Sequence, residues 1–327
     1  MKVLVTGATG FLGQWLTRRL LEEGFEVRVL VRSRSKLEDL EGLKLEVAEG
    51  DVTNLASLET ACQSVGGVFH LAGLIAYSKA QRAAMELVNV QGTKNVISAI
   101  QKNGHARMLH LSSVTAIGAG FTRDEILNEN SDYNVKRLNL GYFETKHDAE
   151  IAVFDEVRAG RLDALAINPS TIYGPGDAKK GSRGAQLKVA RGKLPFYTPG
   201  GVNVVHVDDV VNLCIQAFRT GKAGERTIAC SENLTIKETF ERIAKLAGVK
   251  PPSIELPRAA IFALGRVGDL LESIGRKGPL NTENAWTSTM YHWFTNEKAK
   301  RDFAFNPRPA QEALEASVRW SRDNGLI

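Results

Sequence analysis

Residues 2–24 read "KVLVTGATGFLGQWLTRRLLEEG". Lys2 to Thr6 form a short β-rich run. A glycine turn follows, and then a helical apolar pattern that lasts until Gly24, a natural helix stop. Gly7, Gly10 and Gly13 stand with two residues between successive glycines. In a strand–turn–helix of this kind each has its own task. Gly7 takes a turn conformation that other residues avoid. Gly10 lets the backbone approach a pyrophosphate resting on the exposed amides of the helix start. Gly13 lets helix and strand pack closely. A glycine turn with no ligand is the plain alternative. Its place after the first strand of an alternating β–α pattern favours the nucleotide.

That alternation continues outward. Residues 25–32, 43–51, 67–73, 107–114 and 162–168 read as further strands, and 55–66, 79–104 and 142–160 as helices. The expected fold class is α/β, a doubly wound parallel sheet (Rossmann fold) covered on both faces. After residue 168 prolines and glycines cluster, and helices are expected around 208–219, 235–247, 259–274 and 310–323. The expected organisation is a dinucleotide-binding domain over 1–168 and a smaller C-terminal α/β substrate lobe over 169–327, with roughly 203–222 returning to the large sheet.

The chain has 327 residues, 43% hydrophobic and 24% charged, an ordinary globular balance. Its net charge of +5 is spread along the chain without a basic block, which argues against nucleic acid. No uninterrupted apolar stretch approaches the ~18 residues of a membrane span. The most apolar helical segment, 259–275, is interrupted by Arg266, Asp269 and Glu272, so a buried or partner-facing amphipathic helix is expected there rather than a membrane anchor. Cys62, Cys214 and Cys230 have no metal-knuckle spacing and read as small buried residues. No metal site is expected, and a reducing cytoplasm fits.

The second strand ends in "VRSRSK" (31–36). An acid at this strand end would accept from an adenosine ribose hydroxyl, whereas a cation accommodates a 2′-phosphate. Arg32, with Ser33, Arg34 and Lys36 after it, favours NADP(H) over NAD.

Two tyrosines are followed four residues later by a cation, Tyr133 by Arg137 and Tyr142 by Lys146. Tyr142 and Lys146 share one face of a helix whose apolar stripe runs on through Ala149 and Val153. Tyr133 follows the turn-rich "NENSD", and arginine does not release a proton in a protein. Tyr142 with Lys146 is therefore the candidate pair.

"TGATGFLG" (6–13) resembles the TGxxGxxG turn of the extended short-chain dehydrogenase/reductase family. Further motifs follow in order along essentially the whole chain. The resemblance implies cofactor contacts from Gly7, Thr9, Gly10, Phe11 and Leu12, and adenine contacts from Asp51 and Val52. It also implies pyrophosphate and ribose contacts from Leu71, Ala72 and Gly73 in "FHLAG", where His70 is structural. In "LHLSSVTAIG" it implies Ser113 as the hydrogen-bonding partner of the substrate oxygen, with Ser112 left on the cofactor side. Tyr142 becomes the acid/base. Lys146 lowers the tyrosine's pKa and holds the nicotinamide ribose. Asn89 shapes the active-site bend and holds a relay water. Pro169, Ser170 and Ile172 run under the nicotinamide. His206 and Asp208 are structural.

Within the family the chain looks most like the dihydroflavonol 4-reductase and cinnamoyl-CoA reductase-like group and its bacterial hopanoid-associated relatives. The expectation is an NADPH-dependent reductase of a ketone or aldehyde, acting on a small molecule admitted by a mouth over 118–141. A sugar-nucleotide epimerase or dehydratase is the alternative, and a non-catalytic dinucleotide sensor a second one. The resemblance also implies a homodimer paired through the 79–104 and 142–160 segments.

Overall fold

The computed structural model describes residues 1–33, 37, 40–104, 106–179, 183–276, 278 and 280–327. The first half alternates as its apolar runs dictate. It runs β1 (Lys2–Thr6), α1 (Phe11–Glu22), β2 (Glu26–Val31), β3 (Glu46–Glu49), α2 (Leu55–Ala61) and β4 (Gly67–His70). A 3₁₀ turn at Lys79–Gln81 leads into α3 (Arg82–Met85), a π-helical stretch (Glu86–Gln91) and α4 (Gly92–Asn103). Then come β5 (Arg107–Leu111), α5 (Gly141–Arg158) and β6 (Ala164–Pro169).

The second half is less regular. It contains β7 (Thr171–Tyr173), α6 (Gly184–Ala190), β8 (Phe196–Tyr197), β9 (Gly201–His206), α7 (Val207–Thr220) and β10 (Arg226–Ala229). It continues with β11 (Glu232–Thr235), α8 (Ile236–Ala247), β12 (Ile254–Glu255) and α9 (Arg258–Ser273), and ends with α10 (Thr282–Thr287), β13 (Tyr291–His292), α11 (Glu297–Phe303) and α12 (Ala310–Asp323).

Seven strands form one sheet in the order β3–β2–β1–β4–β5–β6–β10, with every neighbour pair parallel. This is the doubly wound sheet. Its strand order reverses between β1 and β4, and the crevice outside the carboxyl ends there is where such folds receive ligands. Leu12, Leu16 and Leu20 of α1 join Val210, Val211 and Phe218 of α7 in the apolar layer on one face. Leu58, Val96, Ile100 and Val153, from α2, α4 and α5, fill the layer on the other. A sheet buried on both faces needs near-continuous apolar strands, and Val3, Leu4 and Val5 are all fully buried.

Three departures from the sequence-based expectation bear on the site. The 79–104 segment is not one α-helix, because an extra residue per turn is accommodated over Glu86–Gln91. β10 adds a seventh strand that four residues with two polar members did not announce. The return to the large sheet is made by α7 and β10, whereas 201–206 pairs elsewhere: β9 is the centre of a smaller sheet, antiparallel to β11 and parallel to β7 and β13.

Candidate active site

The cradle is built from β1, its turn and the turn after β4. Gly7 has φ +71°, and a Cβ there would stand 2.7 Å from the Ala72 nitrogen, so the two turns interlock through bare backbone. A Cβ at Gly13 would lie 2.1 Å from the Gly7 carbonyl oxygen. Thr9 and Gly10 are exposed. The N-terminus of α1 has no side-chain cap and no acid in its first turn. Uncapped amides and the positive end of the helix dipole are what a pyrophosphate needs. These residues therefore fit a dinucleotide. Gly13→Ala is expected to push α1 off the sheet, costing roughly 1–3 kcal/mol or more. A lowered melting temperature together with weakened dinucleotide binding in titration would check this.

The other residues expected on the cofactor side stand at or just beyond the carboxyl ends of β2, β3, β4 and β6. Arg32 is exposed at the carboxyl end of β2, with no ion pair among the described residues, and Ser33 follows it. Lys36 lies outside the described residues. The Asp51 carboxylate accepts from the Thr53 amide (2.9 Å) and hydroxyl (2.8 Å), making a turn rather than the α2 cap. Val52 is buried against Gly92. Leu71 and Ala72 are half-buried and Gly73 is exposed. A Cβ on Gly73 would come within 3.8 Å of Lys146 Nζ and 3.4 Å of Asn89 Oδ1. Pro169 ends β6, the Ser170 hydroxyl donates to Asn203 (2.7 Å), and Ile172 is buried in the core. Ser170 and Ile172 therefore spend their side chains on the protein.

Tyr142 and Lys146 sit one turn apart near the start of α5, and both are buried. Burial pushes the Tyr142 phenol well above the ordinary tyrosine range. Neighbouring Tyr77 adds to the rise, and the Ser113 hydroxyl beside it pulls the other way. The Ser113 hydroxyl also accepts from the Thr115 amide (3.2 Å), while Ser112 Oγ is buried without a protein partner among the described residues. Lys146 Nζ donates to the Leu111 carbonyl (2.8 Å) at the end of β5. Burial lowers its pKa to about 8, and Glu150 one turn on opposes the shift. Glu150 is buried in turn. It pairs with Arg226 of β10 (2.8 Å) and accepts from the Asn168 amide (2.6 Å), which also donates to the Ser113 carbonyl (3.0 Å). One polar network thus fixes the backbone of Ser113 and the helix bearing Lys146.

Asn89 occupies the middle of the π-helical stretch. Its Oδ1 accepts from the Leu74 amide (2.7 Å). Its Nδ2 donates to the Leu74 carbonyl (3.0 Å) and the Thr145 hydroxyl (3.0 Å). The side chain thereby clamps the 71–74 turn to α5. His70 supports it from beneath. The Thr93 hydroxyl donates to the Asn89 carbonyl (2.6 Å), so it accepts from His70 Nε2 (3.0 Å), and His70 Nδ1 accepts from Thr6 (2.7 Å). Burial lowers the His70 pKa to about 3, so the ring is neutral. His206 accepts from the Asp208 amide (3.1 Å), and Asp208 pairs with Arg19 and Arg308.

The rival pair is built differently. Tyr133 stacks on His147 at 4.0 Å with an interplanar angle of 13°, and the Arg137 guanidinium lies 5.7 Å from the centre of the Phe121 ring. Tyr133 lies in the apolar cluster around Tyr142, which also holds Met85, Leu140, Tyr77, Trp286 and Met290, while Arg137 is exposed. Tyr77 meets Tyr142 edge-on at 5.9 Å. Trp286 and Met290 arrive from α10 and just beyond it, about 145 residues down the chain, and nothing in their own surroundings announced them. Glu150 did carry a signal, its four-residue step from Lys146.

The sequence model of the NAD dependent epimerase/dehydratase family matches residues 3–230. The chain belongs to this family. The chain is 30% identical to a Synechocystis protein provisionally named dihydroflavonol 4-reductase, over 99% of this chain and 95% of that one. It is 29% identical to sterol demethylase protein B of Methylococcus capsulatus, over the whole of both chains. The solved structure of gox2253 superposes with a TM-score of 0.86 at 32% identity, covering 99% of each chain. In this epimerase/dehydratase-family chain a nicotinamide dinucleotide is the cofactor class that the glycine cradle fits.

Proposed function

We propose that the protein is an NADPH-dependent reductase of a ketone or aldehyde, with Tyr142 as its proton donor. The observation that carries this is Arg32. A cation, exposed and without an ion-pair partner among the described residues, stands where an acid would take the adenosine ribose. A 2′-phosphate would satisfy it. The apolar surroundings of Tyr142 and the relatives named for reduction support the same reading.

The backbone of Gly7 to Leu12 would hold the pyrophosphate, Arg32 and Ser33 the 2′-phosphate, and Asp51 with Val52 the adenine. Leu71 to Gly73 and Lys146 would hold the ribose, and Pro169 would floor the nicotinamide. When bound, the reduced nicotinamide supplies hydride to the carbonyl carbon. Ser113 donates a hydrogen bond to the carbonyl oxygen and sets its direction. Tyr142 delivers the proton to that oxygen as charge develops there. A phenol held protonated by burial arrives with the proton that reduction consumes. Lys146, charged below about pH 8, stabilises the phenolate left behind. An ammonium ~4 Å away at an effective dielectric of ~20 contributes about 4 kcal/mol. Asn89 acts through position, holding the 71–74 turn against α5.

Arg32→Ala tests the cofactor assignment. A charge-assisted contact to phosphate contributes roughly 1.5–3 kcal/mol, about a tenfold to hundredfold preference. The NADPH-to-NADH ratio of kcat/KM is expected to fall by that factor, and an unchanged ratio would overturn the assignment.

A further inference from the structure

We propose that the outward face of α9 docks the protein on an anionic lipid bilayer. The sequence placed this amphipathic helix inside the protein or against a partner. Its apolar stripe faces away from the protein, as the second of these requires. Leu264, Val267, Leu270 and Ile274 are 42%, 52%, 67% and 64% exposed, and Ala260 and Ala263 are exposed beside them. At about 100° per residue these six fall within one sector of about 120°.

The inward face holds the helix in that rotation. Ile261, Gly265 and Gly268 are its buried residues. A Cβ on Gly268 would lie 1.6 Å from the Leu280 carbonyl oxygen, and one on Gly265 would lie 3.2 Å from that of Asn281. The helix therefore rests on the 280–282 backbone through glycine, leaving no room there for a leucine. Its two acids also face inward. Asp269 accepts from the Thr282 amide (3.0 Å) and meets Lys79 (3.4 Å), while Glu272 accepts from the Ser78 hydroxyl. Turning the leucines in would break these contacts and drive side chains into backbone.

Charge selects the occupant. With both acids committed inward, Arg266 and Arg276 are exposed with no ion-pair partner among the described residues. Glu255, ahead of the helix, lies in the field of Arg123. A second copy of the same face would bring cation against cation. An anionic bilayer accepts the apolar stripe among its acyl chains and the arginines among its headgroups. At about 24 Å the helix is too short to cross, and no helix among the described residues is long and apolar enough to do so. It would lie in the interface plane. The same helix sends Phe262 inward onto Trp286 at 4.7 Å, so the docked face adjoins the apolar cluster that holds Tyr142. Docking is independent of the reductase assignment, because binding is read without turnover.

Vesicle flotation of the full chain tests this. The wild-type protein is expected to float with mixed phosphatidylglycerol–phosphatidylcholine vesicles and far less with phosphatidylcholine alone. Val267→Asp with Leu270→Asp should weaken binding at least about tenfold while leaving the melting temperature and NADPH affinity unchanged. Arg266→Glu with Arg276→Glu should abolish the preference for anionic lipid. The proposal is overturned if the wild type floats with neither vesicle, or if the aspartates leave flotation unchanged. A wild-type dimer in light scattering that the aspartates dissociate would also overturn it, since the face would then be a protein interface.

Discussion

Tyr142→Phe is expected to lower kcat by roughly a hundredfold to ten-thousandfold and to leave the NADPH dissociation constant within about twofold of wild type. The substitution removes one hydroxyl and keeps the ring, which is buried among Met85, Leu140, Phe143 and Met290. On the proposed reading dinucleotide affinity rests on the glycine turn, Arg32 and Lys146, none of which is changed. The missing group is the proposed proton donor. Water is a poor substitute where the phenol is buried and flanked by Ser113 and Tyr77. Single-turnover kinetics and a fluorescence titration of NADPH separate the two effects. Undiminished kcat would remove Tyr142 from the chemistry.

Lys146→Met is expected to cut kcat about a thousandfold and to weaken NADPH, yet to make the folded protein more stable at neutral pH. The catalytic figure follows from losing the ammonium's stabilisation of the phenolate that proton donation would leave, about 4 kcal/mol. The stability gain follows from burial. The folded-state pKa of about 8 lies below lysine's ordinary 10.5, so the charged form is disfavoured in the folded protein. Below about pH 8 both folded and unfolded chains carry the proton, and the folded one bears a cost of about 3 kcal/mol. Losing the hydrogen bond to the Leu111 carbonyl offsets about 1 kcal/mol of the gain. Between about pH 8 and 10.5 the folded wild type sheds its proton while the unfolded chain keeps it. Wild-type stability therefore rises through that window, and the advantage of the methionine variant narrows. Melting curves of both proteins across this range test the sign. Wild-type reduction should also fall as pH passes about 8, as Lys146 loses its charge.

What could be read from the chain was local. The strand–turn–helix at Lys2–Glu22 declares itself because three glycines at fixed spacing have one joint steric purpose. Tyr142 and Lys146 declare themselves because one helical turn places both on a single face. What could not be read depends on distant partners. Asn89 was picked out by its motif, but its clamp on Leu74 and Thr145, and the π-helical stretch that carries it, exist only once α5 is docked. Arg226 and Asn168 reach Glu150 from two strands. Trp286 and Met290 join the apolar cluster around Tyr142 from the far end of the chain. The rotation of α9 is decided by where Gly265 and Gly268 meet the 280–282 backbone. An amphipathic pattern alone left its apolar side free to face the core or a partner, and here that side points out.

Net reduction of a carbonyl with Tyr142 as proton donor has a direct isotopic readout. NADPH deuterated at C4 of the nicotinamide should be incubated with the protein over a panel of ketones and aldehydes, and the products weighed by mass spectrometry. Stoichiometric NADPH oxidation is expected, with an alcohol carrying one deuterium on the former carbonyl carbon, and both should be strongly diminished in Tyr142→Phe. A protein that retains a non-exchanging dinucleotide and isomerises or dehydrates a sugar nucleotide without net NADPH consumption would contradict net reduction.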